Sequence, residues 1–356
     1  MTLDALLLLA LKGVLVAALP LAYVRYSRDP DKFRKLAWVT AFLTLDLIMF
    51  GSFTRLTDSG LGCPDWPGCY GHSNPLSAAE PIRAAETALP GGPVTATKAW
   101  IEMVHRYFAM GVGLLIIILA VQAWARWRRE GGRSPWLATA ALVWVIGQGA
   151  FGALTVTMKL QPAIVTMHLL GGVGLLALLT WVALREGDRV EVRAPRSGRP
   201  MAGVALCVLL LQIALGGWVS TNYAVMACPD FPLCQGEFVP PMDFAHAFTL
   251  WRPLGMTGGG EAIPFQSLVA IHWMHRLVAV AVIVVLGLLV WRLWAAPGLK
   301  GPARALLGLL LLQLATGMSN VVLQWPLVAA VAHSGGAALM VAVLVVVNYR
   351  LACRGR

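Results

Sequence analysis

The chain has 356 residues, 58% of them hydrophobic and only 13% charged, with a formal net charge of +11. Soluble domains carry about 25% charged and roughly 45–50% apolar residues, so a soluble globular fold, a disordered chain and a nucleic-acid binder are all excluded. Fourteen Trp and 36 Gly suit helices packed in lipid, where aromatic belts mark the interfaces and small residues let backbones approach.

Apolar stretches long enough to cross a hydrocarbon core of about 30 Å run over 3–24, 36–57, 98–125, 136–157, 163–184, 201–222, 266–291, 303–324 and 326–349. The sequence therefore predicts an all-α membrane protein with nine spans. The first is read as a retained helix rather than a signal peptide: Asp4 stands before its apolar run, Lys12 interrupts it, and the basic cluster follows it where a signal peptide has it first.

The connections 25–35, 126–135, 185–200, 292–302 and 350–356, with Arg304 at a helix end, hold twenty of the 28 Lys and Arg residues. Those at 58–97, 158–162, 223–265 and 324–326 hold few, chiefly Arg83, Lys98, Lys159 and Arg252. Cytoplasmic loops carry the basic excess. The expected location is thus the bacterial cytoplasmic (inner) membrane, with the N-terminus outside and the C-terminus cytoplasmic.

Self-similarity comes next. Residues 63–69 read Cys-Pro-Asp-Trp-Pro-Gly-Cys, and residues 228–234 read Cys-Pro-Asp-Phe-Pro-Leu-Cys. The helix after each loop carries Ile-Glu-Met-Val-His-Arg at 101–106 or Ile-His-Trp-Met-His-Arg at 271–276. The following helix carries Gln148 and Gly152, or Gln313 and Gly317. The last opens after an outer Pro, with His168 or His333 near its start. Four helices per unit make parallel repeats: two four-helix bundles, 36–190 and 201–350, plus an extra N-terminal helix with its inner loop over 1–35.

The two C-x5-C pairs sit in outer, oxidising loops, where disulfides persist. Cys63–Cys69 and Cys228–Cys234 are expected to be disulfides, with a redox role open. Zinc needs more ligands than each loop offers. Cys207 and Cys353 are expected to be free, and no C-x-x-C-H exists for covalent haem.

Polar residues inside a membrane are functional by default. His105, His168, His275 and His333 lie about 5–9 residues from the outer ends of their helices, roughly 8–14 Å deep. Two per half at similar depth is what bis-imidazole ligation of a haem in a four-helix bundle requires, toward the outer face. Arg106 and Arg276 follow two of them, placed to pair with haem propionates or a carboxylate, or to snorkel to the interface. Glu102 occupies the place that His272 holds in the second half. On one face with His105, it is the best candidate catalytic acid or base, against a reading in which it only pairs with Arg106. Asp46, in mid-span, is open between helix pairing and a proton path. His72 and His246, in outer loops, are expected to be solvated.

These residues resemble the haem A synthase family. The match lies in Thr54 to Cys69, Glu102-x-x-His105-Arg106, Gln148 with Gly152, His168, Leu215 to Ser220, Ile271-His-x-x-His-Arg276 and His333, and covers about 36–350. Departures are the first span and the long loop stretches from Ser73 to Pro93 and from Asp243 to Gly260. The resemblance implies a haem b cofactor on His275 and His333. It implies haem O as substrate between His105 and His168, with Glu102 assisting oxidation of the ring methyl to a formyl group. Successive hydroxylations with water as oxygen source would supply haem A for cytochrome oxidase. It also implies a lipid setting, handover from haem O synthase and an unidentified electron acceptor. Two other readings stand beside it: a di-haem b transmembrane electron-transfer protein with equivalent halves, and a transporter built from parallel repeats.

Overall fold

The computed structural model describes residues 2–187, 190, 192 and 198–353. Arg189, Arg193, Arg196, Arg354 and Arg356, counted above among the inner basic residues, lie outside the described residues. Among the described residues, nine helices are long and apolar enough to cross a membrane. The only β pairings there are isolated bridges in loops. The protein is a multi-pass, all-α membrane protein.

The first compact unit comprises Met1–Leu160 and Gly174–Glu186. It holds α1 (Leu3–Tyr26), α2 (Lys32–Leu56), the short outer helix α3 (Ala79–Ala88), α4 (Ala96–Glu130), α5 (Trp136–Thr157) and the latter part of α6 (Pro162–Arg185). Side-chain caps start three of these helices: Thr2, Asp31 and Thr95 accept from the backbone amides of Ala5, Arg34 and Lys98, satisfying donors a helix start leaves unpaired. Helix α4 is central, packing against α1, α2 and α5. Its 35 residues span about 50 Å, beyond the hydrocarbon core. Its last turns carry Arg126, Arg128 and Arg129 and end at Gly131, with φ +67°.

Helix α1 packs closely on α4. A Cβ on Gly13 would sit 2.9 Å from Met110 Cβ, and one on Gly111 would sit 2.5 Å from Val16 Cγ1. Small residues at such crossings bring backbones near enough for dispersion contacts to drive helix association in lipid. Lys12 of α1 extends its Nζ to the carbonyl of Ser73 at 2.8 Å and to Ser73 Oγ at 3.2 Å. The same ammonium lies over the Tyr107 ring at 5.0 Å. Tyr107 Oη donates to that Ser73 carbonyl at 2.7 Å. The extra helix is thus fastened to the outer loop of the first unit.

The second unit comprises Gln161–Val173 and Gly187–Arg356. It holds the start of α6, then α7 (Gly198–Thr221), a 3-10 turn at Ala224–Ala227, the short α8 (Phe244–Ala247), α9 (Phe265–Leu293), α10 (Lys300–Val322) and α11 (Leu327–Ala352). Its long helices form a closed ring in which α7 packs on α9, α9 on α10, α10 on α11 and α11 on α7. Gln161 starts α6, its Oε1 accepting from Ile164 N at 2.9 Å. In the long connection between α7 and α9, Arg252 is 2% exposed. It donates to Met256 O at 2.9 Å and to Asn222 Oδ1, with its guanidinium 5.7 Å from the Trp218 ring.

Candidate functional site

The two outer C-x5-C loops have one construction. Disulfides join Cys63 to Cys69 and Cys228 to Cys234, while Cys207 and Cys353 are free. In the first loop, the Asp65 carboxylate accepts from the amides of Tyr70 at 2.6 Å and Gly71 at 2.7 Å. In the second, Asp230 accepts from Gln235 and Gly236, each at 2.8 Å. Both turns place these two residues at positive φ, +50° and +75° in one and +56° and +79° in the other. The anchoring Asp cancels part of the cost by satisfying two amides at once. The Gly236 amide, helped by Gln235 and by the charge of Arg276, holds the Asp230 carboxyl below the usual carboxylate range. Burial, with the charge of Asp65, pushes the Tyr70 hydroxyl up.

An arginine from the following helix closes each loop. Arg106 of α4 donates from Nη1 to the carbonyls of Asp65 and Gly68. Arg276 of α9 donates from Nη1 to Asp230 O at 2.9 Å and Leu233 O at 2.8 Å, and from Nη2 to Cys228 O at 2.7 Å. Two of the five N–H groups of Arg106 and three of those of Arg276 therefore serve the loop backbone.

The halves part at the residue one turn earlier. Glu102 is 4% exposed. It forms an ion pair with Arg106 through Oε1, while Oε2 accepts from Cys63 N at 2.8 Å. The carboxylate thus links helix, arginine and disulfide loop. At the matching place His272, also 4% exposed, accepts from Arg276 Nε at 3.2 Å through Nε2. One half holds a buried carboxylate, the other a buried neutral acceptor.

Unlike His272, the other four intramembrane histidines, His105, His168, His275 and His333, are only partly covered by protein, and close backbone approach shapes the space beside three of them. A Cβ on Gly51 of α2 would sit 3.1 Å from His105 Nε2. One on Gly216 of α7 would sit 3.1 Å from His275 Cε1, and one on Gly317 of α10 would sit 3.3 Å from His333 Cε1. Any larger residue would press on the imidazole. His105 also meets Phe50, ring centroids 5.9 Å apart.

His275 and His333 both belong to the second unit. Thr316 Oγ1 stands 2.9 Å from His333 Nδ1. Its single proton is directed to Leu312 O at 2.7 Å, so the hydroxyl oxygen accepts and the ring donates. That fixes the proton on Nδ1 and leaves the Nε2 lone pair for a ligand. Gln212 Nε2 lies 3.1 Å from His275 Nδ1 and 3.3 Å from its Nε2, and donates to the His275 carbonyl at 3.1 Å. Gln313 Nε2 donates to His333 O at 3.0 Å. Two imidazoles of one unit, each beside a glycine, are residues that could hold a haem iron. Among the described residues, no group of three or more His, Cys, Asp or Glu is placed to hold a bare metal ion.

His105 belongs to the first unit, and His168, on the initial segment of α6, to the second. Asp46 is half-buried in α2. His72 is exposed. His246 is also exposed and pairs with Asp243 through Nδ1 at 2.6 Å. That contact, with Ser267 Oγ at 2.8 Å, holds the Asp243 carboxyl below its usual range. Sequence reasoning missed Gln212, Thr316, the clamp made by Arg252, and Lys12 as an anchor. The regular spacing of the repeat, under which Gly216 answers Gly51 and Gly317 answers Gly152, was the available signal for the residues around the histidines.

Residues 34–345 match the COX15-CtaA family of cytochrome oxidase assembly proteins. Among curated relatives, the heme A synthase of Shewanella oneidensis is 40% identical over 323 residues, covering 89% of this chain and 97% of that protein. The heme A synthase of Methylobacterium sp. (strain 4-46) is 31% identical, covering 90% of this chain and 92% of its own. That of Methylobacterium radiotolerans is 30% identical, covering 86% of both. The match begins after α1 and takes in both disulfide loops, the Glu102 and His272 positions and all four histidines, and on that extent the chain belongs to the COX15-CtaA family of cytochrome oxidase assembly proteins.

Proposed function

We propose that the chain is a haem A synthase of the bacterial cytoplasmic membrane, oxidising a methyl group of haem O to a formyl group toward the outer face. The observation that carries this reading is the divergence at one repeated position, a buried Glu102 ion pair against a buried His272. Two equivalent electron-transfer halves would have no use for it. The names of the relatives point the same way.

His275 and His333 are the proposed ligands of a haem b, which when bound supplies one-electron redox chemistry. His105 and His168 are the proposed ligands of the haem O iron. The methyl carbon takes oxygen from water twice, passing through an alcohol and a geminal diol that loses water to leave the aldehyde. Four electrons and four protons depart per formyl group, the electrons to an acceptor outside the chain. Glu102 is the proposed proton acceptor. Its two oxygens have about four lone-pair sites; Cys63 N and Arg106 engage one each and the Gly62 amide also reaches the carboxylate, leaving room for a water proton. Arg106 is the counter-charge of the carboxylate and, with Arg276, offers its remaining N–H groups to haem propionates.

The positive-inside pattern supports a cytoplasmic C-terminus and an outer N-terminus, and the disulfides suit an oxidising outer face. Receipt of haem O directly from haem O synthase fits the insolubility of the substrate.

The test is production of the protein in cells supplied with haem O, followed by haem extraction and a pyridine haemochrome count. Haem A in the extract, abolished in Glu102→Ala, is expected. Two unmodified b haems per chain with no haem A would overturn the reading in favour of an electron carrier.

A further inference from the structure

At the end of the first unit where α2 and α5 start and α4 and α6 finish, a cavity of about 380 Å³ opens. Every residue lining it belongs to that unit. Its volume falls in the range of about 300–1,000 Å³ usual for small-ligand sites. Its charged walls are three arginines, Arg126, Arg133 and Arg185, and three carboxylates, Asp31, Glu130 and Glu186. The haem reading uses none of them.

The contacts among these groups are loose. Arg126 Nη1 lies 3.4 Å from Asp31 and 3.9 Å from Glu186, and Arg133 Nη1 lies 3.5 Å from Glu186. Arg185 Nη1 donates to the Ser134 carbonyl at 3.3 Å. Charge-assisted N–H···O bonds run at about 2.7–2.9 Å, so the guanidiniums surround the space without closing on the carboxylates. All of these contacts use Nη1. Among the described residues, Nε and Nη2 of each arginine make no hydrogen bond and Glu130 makes no ion pair.

The neighbouring face of α4 marks the depth of the site. Ala123, Arg126 and Glu130, at i, i+3 and i+7, line the cavity. Beside them Trp124 packs edge-on against Trp127 at 5.4 Å and Trp136 at 5.5 Å, and Trp127 and Trp136 are exposed. Tryptophan belts sit at head-group level. There a phospholipid is the most abundant phosphate.

We infer that this cavity is a phospholipid head-group site, and that it takes a phosphoethanolamine head group. The free guanidinium N–H groups suit the phosphate, which arginine binds in a bidentate fork, and basic pockets between membrane helices take lipid head groups in this way. Glu130 accepts from the primary ammonium. Phosphate and ammonium together match walls that carry three charges of each sign. A phosphoglycerol head group would bring a negative charge and leave Glu130 without a cation. A phosphocholine head group has no N–H to donate. The bound lipid ties together the ends of α2, α4, α5 and α6.

The experiment uses the full-length, haem-loaded protein in nanodiscs of equal parts phosphatidylethanolamine, phosphatidylglycerol and phosphatidylcholine. Lipids retained on the protein are counted by class with native mass spectrometry, and the haem count and thermal unfolding report the fold. Wild type is compared with Arg133→Gln/Arg185→Gln, with Glu130→Gln, and with Arg292→Gln at an exposed position of the second unit. Wild type and Arg292→Gln should retain phosphatidylethanolamine over the other two lipids. The double arginine variant should retain at least about 5-fold less, the upper end for one exposed ion pair. Glu130→Gln should lose the preference over phosphatidylglycerol, and it decides the matter alone if the double variant unfolds. Equal retention by the double variant and wild type would overturn the site. A wild-type preference for phosphatidylglycerol would overturn the head-group assignment. Soluble glycerophosphoethanolamine binding as tightly as the lipid would overturn the membrane source.

Discussion

Truncating Glu102 should unfasten the first outer loop far more than truncating His272 unfastens the second. Glu102→Ala removes the counter-charge of Arg106 and the acceptor of Cys63 N, at a site where Glu102 is 4% and Cys63 0% exposed. Breaking one side of a buried ion pair costs about 3–5 kcal/mol. A 4 kcal/mol loss raises the population of the opened loop nearly 1,000-fold. Glu102→Gln keeps an oxygen for Cys63 N and gives up only the charge, for a cost nearer 1–2 kcal/mol by comparing charged with neutral hydrogen bonds. His272→Ala deletes one acceptor of Arg276, whose Nη1 and Nη2 still reach three loop carbonyls, so about 1 kcal/mol is expected. Hydrogen exchange of residues 60–75 and 226–238, read by mass spectrometry in lipid nanodiscs, reports both loops in one sample. The expected order of loosening is Glu102→Ala, then Glu102→Gln, then His272→Ala. Equal protection of residues 60–75 in wild type and Glu102→Ala would refute the view that this carboxylate carries the loop, and would leave a purely catalytic role for it.

Three further outcomes are expected. Lys12→Met should speed proteolysis within residues 70–78, since Ser73 loses its ammonium partner, and Lys12→Arg should restore part of the protection. Replacing Cys228 and Cys234 together by Ser should lower the stability of the second outer loop by about 2 kcal/mol, as the short ring closed across six residues predicts from chain entropy. Hydrogen exchange at Gln235 and Gly236 would show it. Asp230 and Asp243 have carboxyls held below their usual range. Their contribution is present above the unfolded value of about 3.9 and is lost as pH falls through the lower folded value. Protection of the second outer loop should thus be flat from pH 7 to about 4 and fall below that, and Asp230→Asn should remove the dependence at Gln235.

The membrane helices were legible because hydropathy sets them directly. The stretch expected at 98–125 is the core of Ala96–Glu130, and its extension is polar: Arg126, Arg128 and Arg129 continue the helix beyond lipid until Gly131 ends it. The outer helix Ala79–Ala88 was missed, since it is short and carries no long apolar face. The repeat exposed the cysteine pairs, the histidines and the Glu102 position without any geometry. What it did not expose were contacts between helices distant in sequence. Gln212 reaches His275 across 63 residues and Lys12 reaches Ser73 across 61, and no local pattern announces either. Arg252 looked like a stray outer charge, yet it is among the most deeply covered side chains of its unit.

The bond from Lys12 to Ser73 spans the whole of α2, so it forms only after that helix has crossed the bilayer and delivered the loop to the far side. Until then the ammonium has no loop carbonyl to meet, at a penalty of about 2.5–3.5 kcal/mol for a lysine at the centre of a span. The first helix therefore enters the membrane in debt to a segment not yet translocated. An α2 inserted the wrong way round would leave that charge without its loop partner.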